Sequence, residues 1–433
     1  MMVRASLAGA TACALAAVTT SAIAWAGPPP AQTPPPSTAI RPGGWSYFAD
    51  PRALRYANAD YAGWATMDGK IQVARLSGKS IGVQTVAAGL RPDDHSSPAL
   101  APLPGGPLGV FWSPHVKPRH PDWMFYRVRR GRTWSARRTI PTNSRGPDGY
   151  TYPNPVRVGK RLMVFWRGGN YQPTYSATRD GRSWSTARTL LTGPQVPNSK
   201  DPSHRERPYA KYFASRGIVH MAYNEAHPGR RTTSLFYVRM RGSRLVGPDN
   251  AVLGQRPLRW DEGSRIYSGE EGSAWVMDVG AAANASPVIV YVRLVKGQAR
   301  STEYRYVTWK DGEWVDRKVC STPFLRGKGN YPGGVTIDHQ DPRVIYLSRK
   351  PGSHFGVEAW ATADAGDTWA REPLTTDTDA VADSFRPTST LGGSAVLWMT
   401  GRYAHYTRFN TRIVVAEARD KAEKHRERLR GRS

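Results

Sequence analysis

The 433-residue sequence contains only two cysteines. One of them, Cys13, falls inside an N-terminal segment with the marks of a removable leader, so Cys320 has no intramolecular disulfide partner. A disulfide-stapled fold is excluded, and stability has to come from a large apolar core, for which 15 Trp and 20 Tyr supply the area. Thr11-Ala12 before Cys13 does not make a Leu-containing lipobox, and Arg317-Lys318-Val319 before Cys320 reads as a strand end with a half-buried thiol rather than a catalytic one. Helical periodicity is nearly absent. Beyond the leader, no stretch is long and apolar enough to span a membrane.

Negative charge is also scarce. There are 34 Asp and Glu against 61 Lys and Arg, a formal charge of +27. Residues 416–433 hold seven Lys/Arg and four Asp/Glu, so the excess belongs mainly to the body of the chain. A basic surface draws polyanions. For an exported protein the expected polyanion is an acidic polysaccharide rather than nucleic acid.

Export is expected from residues 1–26. Arg4 gives a positive start, residues 5–24 are mostly small and apolar, and Ala24-Trp25-Ala26 forms an A-x-A cleavage site. Residues 27–42 are Pro-rich and read as a linker. Residues 43–415 show short β-branched and aromatic runs between Gly, Pro and Asp turns, the all-β pattern. Residues 416–433 read as a charged tail.

The all-β body repeats. Seven apolar runs recur at comparable intervals: Tyr61–Ala65, Leu108–Trp112, Leu162–Trp166, Ile218–Tyr223, Val288–Val292, Val344–Leu347 and Ala395–Trp398. Each is preceded by a segment opening on an aromatic residue or His. His95, Tyr152 and Tyr209 are such openers, each 57 residues from the next. Several units end in Asp-Gly turns followed by Trp: Asp180-Gly181 with Trp184, Asp311-Gly312 with Trp314, and Asp364 and Gly366 with Trp369, with a looser copy from Arg127 to Trp134. These resemble the Asp-box of sialidase-like propellers. Such a turn uses Asp as an acceptor for backbone N–H groups, Gly for positive φ and Trp as packing. Seven such units predict a seven-bladed β-propeller.

In a propeller the start of each first strand and the end of each second strand lie at the same end. That rule gathers His95 with His115, Tyr152 with Arg167, and Arg207 and Tyr209 with Asn224, Glu225 and His227. The spacings of 20, 15 and 16 residues for His95–His115, Tyr152–Arg167 and Tyr209–Glu225 are each one hairpin long. Alternative uses stand beside these. Tyr152 plugs a central channel as readily as it reacts, as do Tyr331 and Phe385 in later units. Asp93 and Asp94 cap a turn or orient His95. His204, His220 and His227 are candidates for a structural metal ion, although His220 lies mid-strand, where a packed core histidine is the plainer reading.

Several segments in order resemble one family: Trp45–Ala53, Asp93-Asp94-His95 through Leu100, Phe111–His115, Tyr152–Pro155, Phe165–Gly169, Pro173–Ser176 and Arg207–Tyr212. The sequence is similar to the propeller polysaccharide lyases, among them ulvan lyases and rhamnosyl-glucuronate lyases, proteins with neuraminidase-like (BNR) repeats. The resemblance implies β-elimination on a uronate polymer. It makes Tyr152 the group that takes the C5 proton and returns one to the leaving oxygen. It makes His95 and Arg167 the partners of the uronate carboxylate, and His115 a second active-site histidine. Asp94, Arg207, Tyr209, Asn224, Glu225 and His227 are the expected substrate-binding residues. No cofactor is expected beyond a structural ion, and the expected form is a monomer acting on an acidic polysaccharide, away from nucleic acid and membrane.

The chemistry is consistent on its own terms. Elimination beside a carboxylate needs charge neutralisation, a base at C5 and an acid at O4. Arg suits a carboxylate, and a Tyr beside cationic Arg or His is expected to ionise more easily. Tyr150, two residues upstream, remains an alternative base. A sialidase-like hydrolase would need three arginines and a Tyr–Glu pair in order. A non-catalytic carbohydrate-binding propeller would have no use for the His, His, Tyr, Arg set.

Overall fold

The computed structural model describes residues 37–417, apart from 79, 116–123, 142–149, 202–203, 298–300, 326–330 and 376–381. The expected signal peptide, most of the Pro-rich linker and most of the tail lie outside the described residues. The described chain is all β apart from two single-turn 3-10 segments, Asp94–Ser96 and Gly169–Tyr171. Among the described residues no helix is long and apolar enough to cross a membrane.

Seven antiparallel sheets form the blades of a β-propeller. We number them I to VII, with inner strands at Ala53–Tyr56, Ala99–Pro102, Thr151–Val158, Tyr209–Ser215, Gly272–Ala281, Val335–Ile337 and Asp383–Ser389. All seven apolar runs read from the sequence are the second strands of these blades, and most extend a residue or more further. They are buried nearly throughout because each packs between two neighbouring blades: Leu108–Trp112 and Ala59–Ala65 have no exposed residue.

The Asp-Gly turns act as expected. Asp180 Oδ1 accepts the backbone N–H groups of Arg182 and Ser183, both at 2.8 Å. Gly181 has φ +70°. Each turn's Trp reaches the preceding blade. Trp184 donates to the Tyr126 hydroxyl of blade II at 3.2 Å, Trp314 to Ser264 beside blade IV at 3.0 Å, and Trp134 to Gln84 of blade I at 3.1 Å, while Trp369 packs edge-on against Tyr306 of blade V. The turns therefore staple blade to blade, where no disulfide does.

The first described strand corrects one expectation. The Pro-rich linker is expected over 27–42, but Ser37–Pro42 is a strand. It pairs antiparallel with Arg408–Glu417 and so becomes the outer strand of blade VII. That strand in turn carries the propeller past residue 415. Residues 37–42 gave no period-2 signal because only Ile40 among them is buried. Backbone hydrogen bonds to the last blade, rather than side-chain burial, make this segment a strand, and they close the ring.

Between the closing strand and blade I, residues 43–52 turn inward across the axis. Tyr47 packs on Trp275 and stacks on Tyr331, and Phe48 packs on Tyr152 and Tyr209. The ammonium of Lys211, on the inner strand of blade IV, bonds both the Tyr47 carbonyl and the Asp50 carboxylate. This segment fills the middle of the propeller and forms the floor of one mouth.

Candidate functional site

The mouth above Phe48 gathers side chains from four blades. His95 belongs to the turn before the inner strand of blade II, and His115 follows that blade's second strand. The two imidazoles stack 4.1 Å apart, 6° from parallel. Asp93 lies beneath both. Its Oδ1 accepts the His95 backbone N–H at 2.9 Å and lies 3.0 Å from His95 Nδ1, and its Oδ2 lies 2.7 Å from His115 Nδ1. Asp94 Oδ1 is 2.8 Å from the same His95 nitrogen. The other oxygen of Asp94 accepts from Arg386 at 2.6 Å and from the Tyr403 hydroxyl at 2.7 Å, both on blade VII.

These contacts divide the charge unequally. The two aspartates hold the His95 imidazolium above the usual histidine range despite burial. Burial, and then the charge on His95, push His115 down to about 4. Asp93 is held below the usual carboxylate range because its bonds from His115 and His95 overcome its own burial. The stack therefore favours the proton on His95 and leaves His115 the neutral ring. With Asp93 accepting at Nδ1, the neutral His115 keeps its lone pair on Nε2.

Tyr152 completes the stack on the other side, its ring 5.3 Å from that of His95. It sits where the pairing of blade III slips between Thr151 and Asn154, with φ +61°. A β-bulge re-aims a side chain in this way, and a bulky residue in the left-handed region is held there only by its surroundings. Asn154 supplies part of that hold, its amide donating to the Tyr152 and Phe48 carbonyls at 2.8 and 2.9 Å. The Thr151 hydroxyl donates to the His95 carbonyl at 3.0 Å, tying blade III to the histidine turn.

Arg167, opposite Thr151 in the register of blade III, lies 4.6 Å above the Tyr152 ring and 5.5 Å from that of Tyr209. It is 6% exposed, and among the described residues its Nε has no hydrogen-bond partner. A buried guanidinium with a free donor is a ready receptor for a carboxylate. One expectation fails on the energetics. Burial drives the Tyr152 phenol well above its ordinary value, with Tyr209 adding to the effect, and Arg167 only partly offsets them. At neutral pH Tyr152 is a neutral phenol.

The remaining expected residues separate into two groups. Tyr209 touches Tyr152, and His227 stands edge-on to Tyr209 at 5.4 Å. Burial, followed by Arg230, Arg167 and Arg207, pushes His227 down to about 4. Arg207 lies 4.0 Å over Tyr171, whose ring is also beneath Arg167. These side chains share the mouth. Asn224 and Glu225 are engaged with backbone instead. Asn224 donates to the Ser234 carbonyl and accepts from Val276 N–H at 2.7 Å, bridging blades IV and V. Both Glu225 carboxylate oxygens accept the Ser234 N–H at 3.0 Å.

Tyr150 lies apart, buried among Trp166, Tyr126 and other apolar residues between blades II and III. Its carbonyl accepts the Ser113 hydroxyl. His204, His220 and His227 do not converge. His204 is exposed beside Ser199, and His220 is fully buried against the Tyr237 hydroxyl at 2.6 Å. Cys320 is a half-buried thiol pushed up to about 12 by burial. Among the described residues, Asp93, His95 and His115 are the one group whose ligand atoms lie within 4.8 Å of one another. A metal ion held there would displace the protons Asp93 now receives.

Sequence reasoning passed over Arg386, Tyr403 and Tyr406. Arg386 is 1% exposed, lies 4.2 Å from both the Tyr47 and Tyr403 rings, and has φ +50°. Tyr406 meets the His95 ring edge-on at 4.7 Å. These residues come from the last blade and meet His95 only once the ring closes, so no local spacing points to them.

Comparison with known proteins matches this architecture. The model of the BNR repeat-containing family matches residues 59–322. No curated protein sequence matches. An ulvan lyase of polysaccharide lyase family PL25, bound to -[GlcA(1-4)Rha3S]-, superposes with a TM-score of 0.66 at 14% identity, over 88% of this chain and 95% of that one. Polysaccharide lyase Uly1 superposes with a TM-score of 0.56 at 12% identity, over 88% of this chain and 91% of that one. These likenesses are of fold.

Proposed function

The chain belongs to the BNR repeat-containing family, and from the groups gathered at one mouth of its propeller we propose that it is an exported lyase cleaving a uronate-bearing polysaccharide by β-elimination. The observation that carries this reading is the stack of Tyr152, His95 and His115 beside Arg167, whose Nε is buried without a partner. Arg167 and His95 both lie against the Tyr152 ring, at 4.6 and 5.3 Å. They suit a carboxylate whose neighbouring C5–H is to be removed.

Each bond change has a group beside it. The uronate carboxylate settles against Arg167 and His95, which spreads the charge that develops at C5. The phenolate of Tyr152 takes the C5 proton, the C4–C5 double bond forms and the C4–O4 bond breaks. The leaving oxygen takes a proton, which the newly protonated phenol is placed to give. Tyr209, Arg207 and His227 line the path of the sugar chain on the blade IV side.

A hydrolase reading finds less support. Glycosidases use two carboxyl groups flanking the bond. Asp93 and Asp94 are occupied by His95, His115 and Arg386, and Glu225 by Ser234. The deciding experiment is to incubate the purified protein with a panel of acidic polysaccharides. Ulvan comes first, since the ulvan lyase of the same fold holds its -[GlcA(1-4)Rha3S]- segment. A lyase releases unsaturated uronate ends that absorb in the ultraviolet. Reducing ends without that absorbance overturn the proposal in favour of a hydrolase, and binding without cleavage overturns it in favour of a lectin.

A further inference from the structure

A second concavity lies between blades I and II, toward the end of the propeller away from Tyr152. In blade I the second strand, Ala59–Ala65, ends at the Tyr152 mouth, and Tyr61 stands near its opposite end. Around Tyr61, a groove of about 370 Å³ is lined by Arg75, Ser80, Gly82, Gln84, Arg129 and Arg132.

Three features distinguish this groove from an ordinary basic surface. No carboxylate lines it, and none of its three arginines is in an ion pair among the described residues. Its floor is a cation held on a buried ring: Arg129 lies 5.0 Å over Tyr61, which is 3% exposed and meets Tyr56 edge-on. Its walls are fixed. Gln84 on the outer strand of blade I donates to the Arg132 carbonyl at 2.6 Å and accepts from Trp134 at 3.1 Å, which pins the blade II hairpin to blade I. At Gly82, opposite Arg75 in the register, an added Cβ meets nothing within 4 Å, so the space above it is open.

We propose that this inter-blade groove is a second binding site for an anionic polysaccharide, separate from the Tyr152 mouth. Carboxylate or sulfate groups of the polymer are met by Arg75, Arg129 and Arg132. The volume suits a short run of sugar residues. A polymer held at both sites stays local to the mouth between cleavages, as linked binding events do.

Gly82→Tyr tests the site without changing any charge. Its backbone is not left-handed and its Cβ position is open, so the fold tolerates the ring while the groove fills. The protein carrying Arg167→Ala, which disables the mouth, is run through native gels containing polyglucuronate. The retardation that remains is expected to weaken by about tenfold in apparent affinity when Gly82→Tyr is added, the loss of about one well-placed charged contact. Arg75→Ala with Arg129→Ala is expected to do the same. Retardation unchanged by Gly82→Tyr overturns the site, as does equal retardation by duplex DNA that Gly82→Tyr abolishes equally. Because the readout is binding and not turnover, it stands or falls apart from the lyase reading.

Discussion

Asp93 bonds His95 and His115 through its two carboxylate oxygens, one to each Nδ1, and the imidazoles lie face to face above it. Two stacked imidazoles cannot both be charged at little cost, and the aspartates decide which one is. Of the two imidazoles Asp94 lies against His95 alone, so the proton is favoured there. The pair thus has a fixed order of protonation, His95 before His115.

Asp93→Asn is expected to move the His95 titration downward, because the charged acceptor that favours the imidazolium is gone. The signs for the native protein follow from the shifts. His95 is raised, so its contribution to stability is complete below its unfolded value near 6.5 and is lost as pH climbs through the folded value. His115 is lowered to about 4, so its contribution is present above the unfolded value and lost as pH falls toward 4. Imidazole NMR of the folded variant reads the His95 midpoint directly. Turnover at neutral pH is expected to fall by about 10- to 100-fold, as for other groups that orient a reacting residue. An unmoved His95 midpoint would show that Asp93 merely packs.

What the sequence disclosed follows from how local each signal is. The seven second strands and the Asp-Gly turns are contiguous and repeat, so blade number and inter-blade Trp packing were readable from residue order. His95, His115, Tyr152 and Arg167 were readable because a hairpin returns its ends to one mouth. Four things were not. The closing strand Ser37–Pro42 has one buried residue and takes its structure from a partner some 370 positions away. Arg386 and Tyr403 reach Asp94 only across the closed ring. Charge pairing also misled at Tyr152, since Arg167 beside the ring suggested an easily ionised phenol, while burial outweighs that attraction. Asn224 and Glu225 stand at a blade position that faces the mouth, yet their side chains satisfy backbone groups of the following loop, a competition that spacing does not reveal.

Ring closure gives a stability prediction. Ile40 is the buried residue of the closing strand and joins the cluster of Trp45, Leu397 and Ile413. Ile40→Ala is expected to cost about 2–4 kcal/mol, through the lost burial and the space left behind. A thermal melt is expected to show a lower midpoint with the transition still cooperative. If blade VII were stable without its fourth strand, the melt of Ile40→Ala would coincide with that of the native protein.

The proton-transfer assignment makes the sharpest prediction, because burial and mechanism pull Tyr152 in opposite directions. The resting phenol is neutral and hard to ionise. If its phenolate is the base, kcat/KM rises with pH as the small ionised fraction grows, until loss of the His95 imidazolium weakens the hold on the carboxylate. If Tyr152 were only the acid and the neutral His115 the base, kcat/KM would instead be level above about 4. Tyr152→Phe keeps the ring that packs against Phe48, His95 and Tyr209, so folding and binding are expected to survive while turnover falls by about 10²–10⁴-fold, the usual weight of a lost proton-transfer group. Arg167→Ala removes the carboxylate partner, so binding and turnover are expected to fall together. Tyr150→Phe is expected to turn over normally, since Tyr150 packs between blades II and III and not at the mouth. Kinetics of the three variants across pH, on a polymer found by the ultraviolet screen, separate these cases. A folded Tyr152→Phe variant with near-native turnover would remove Tyr152 from the chemistry and leave His115 Nε2 as the base.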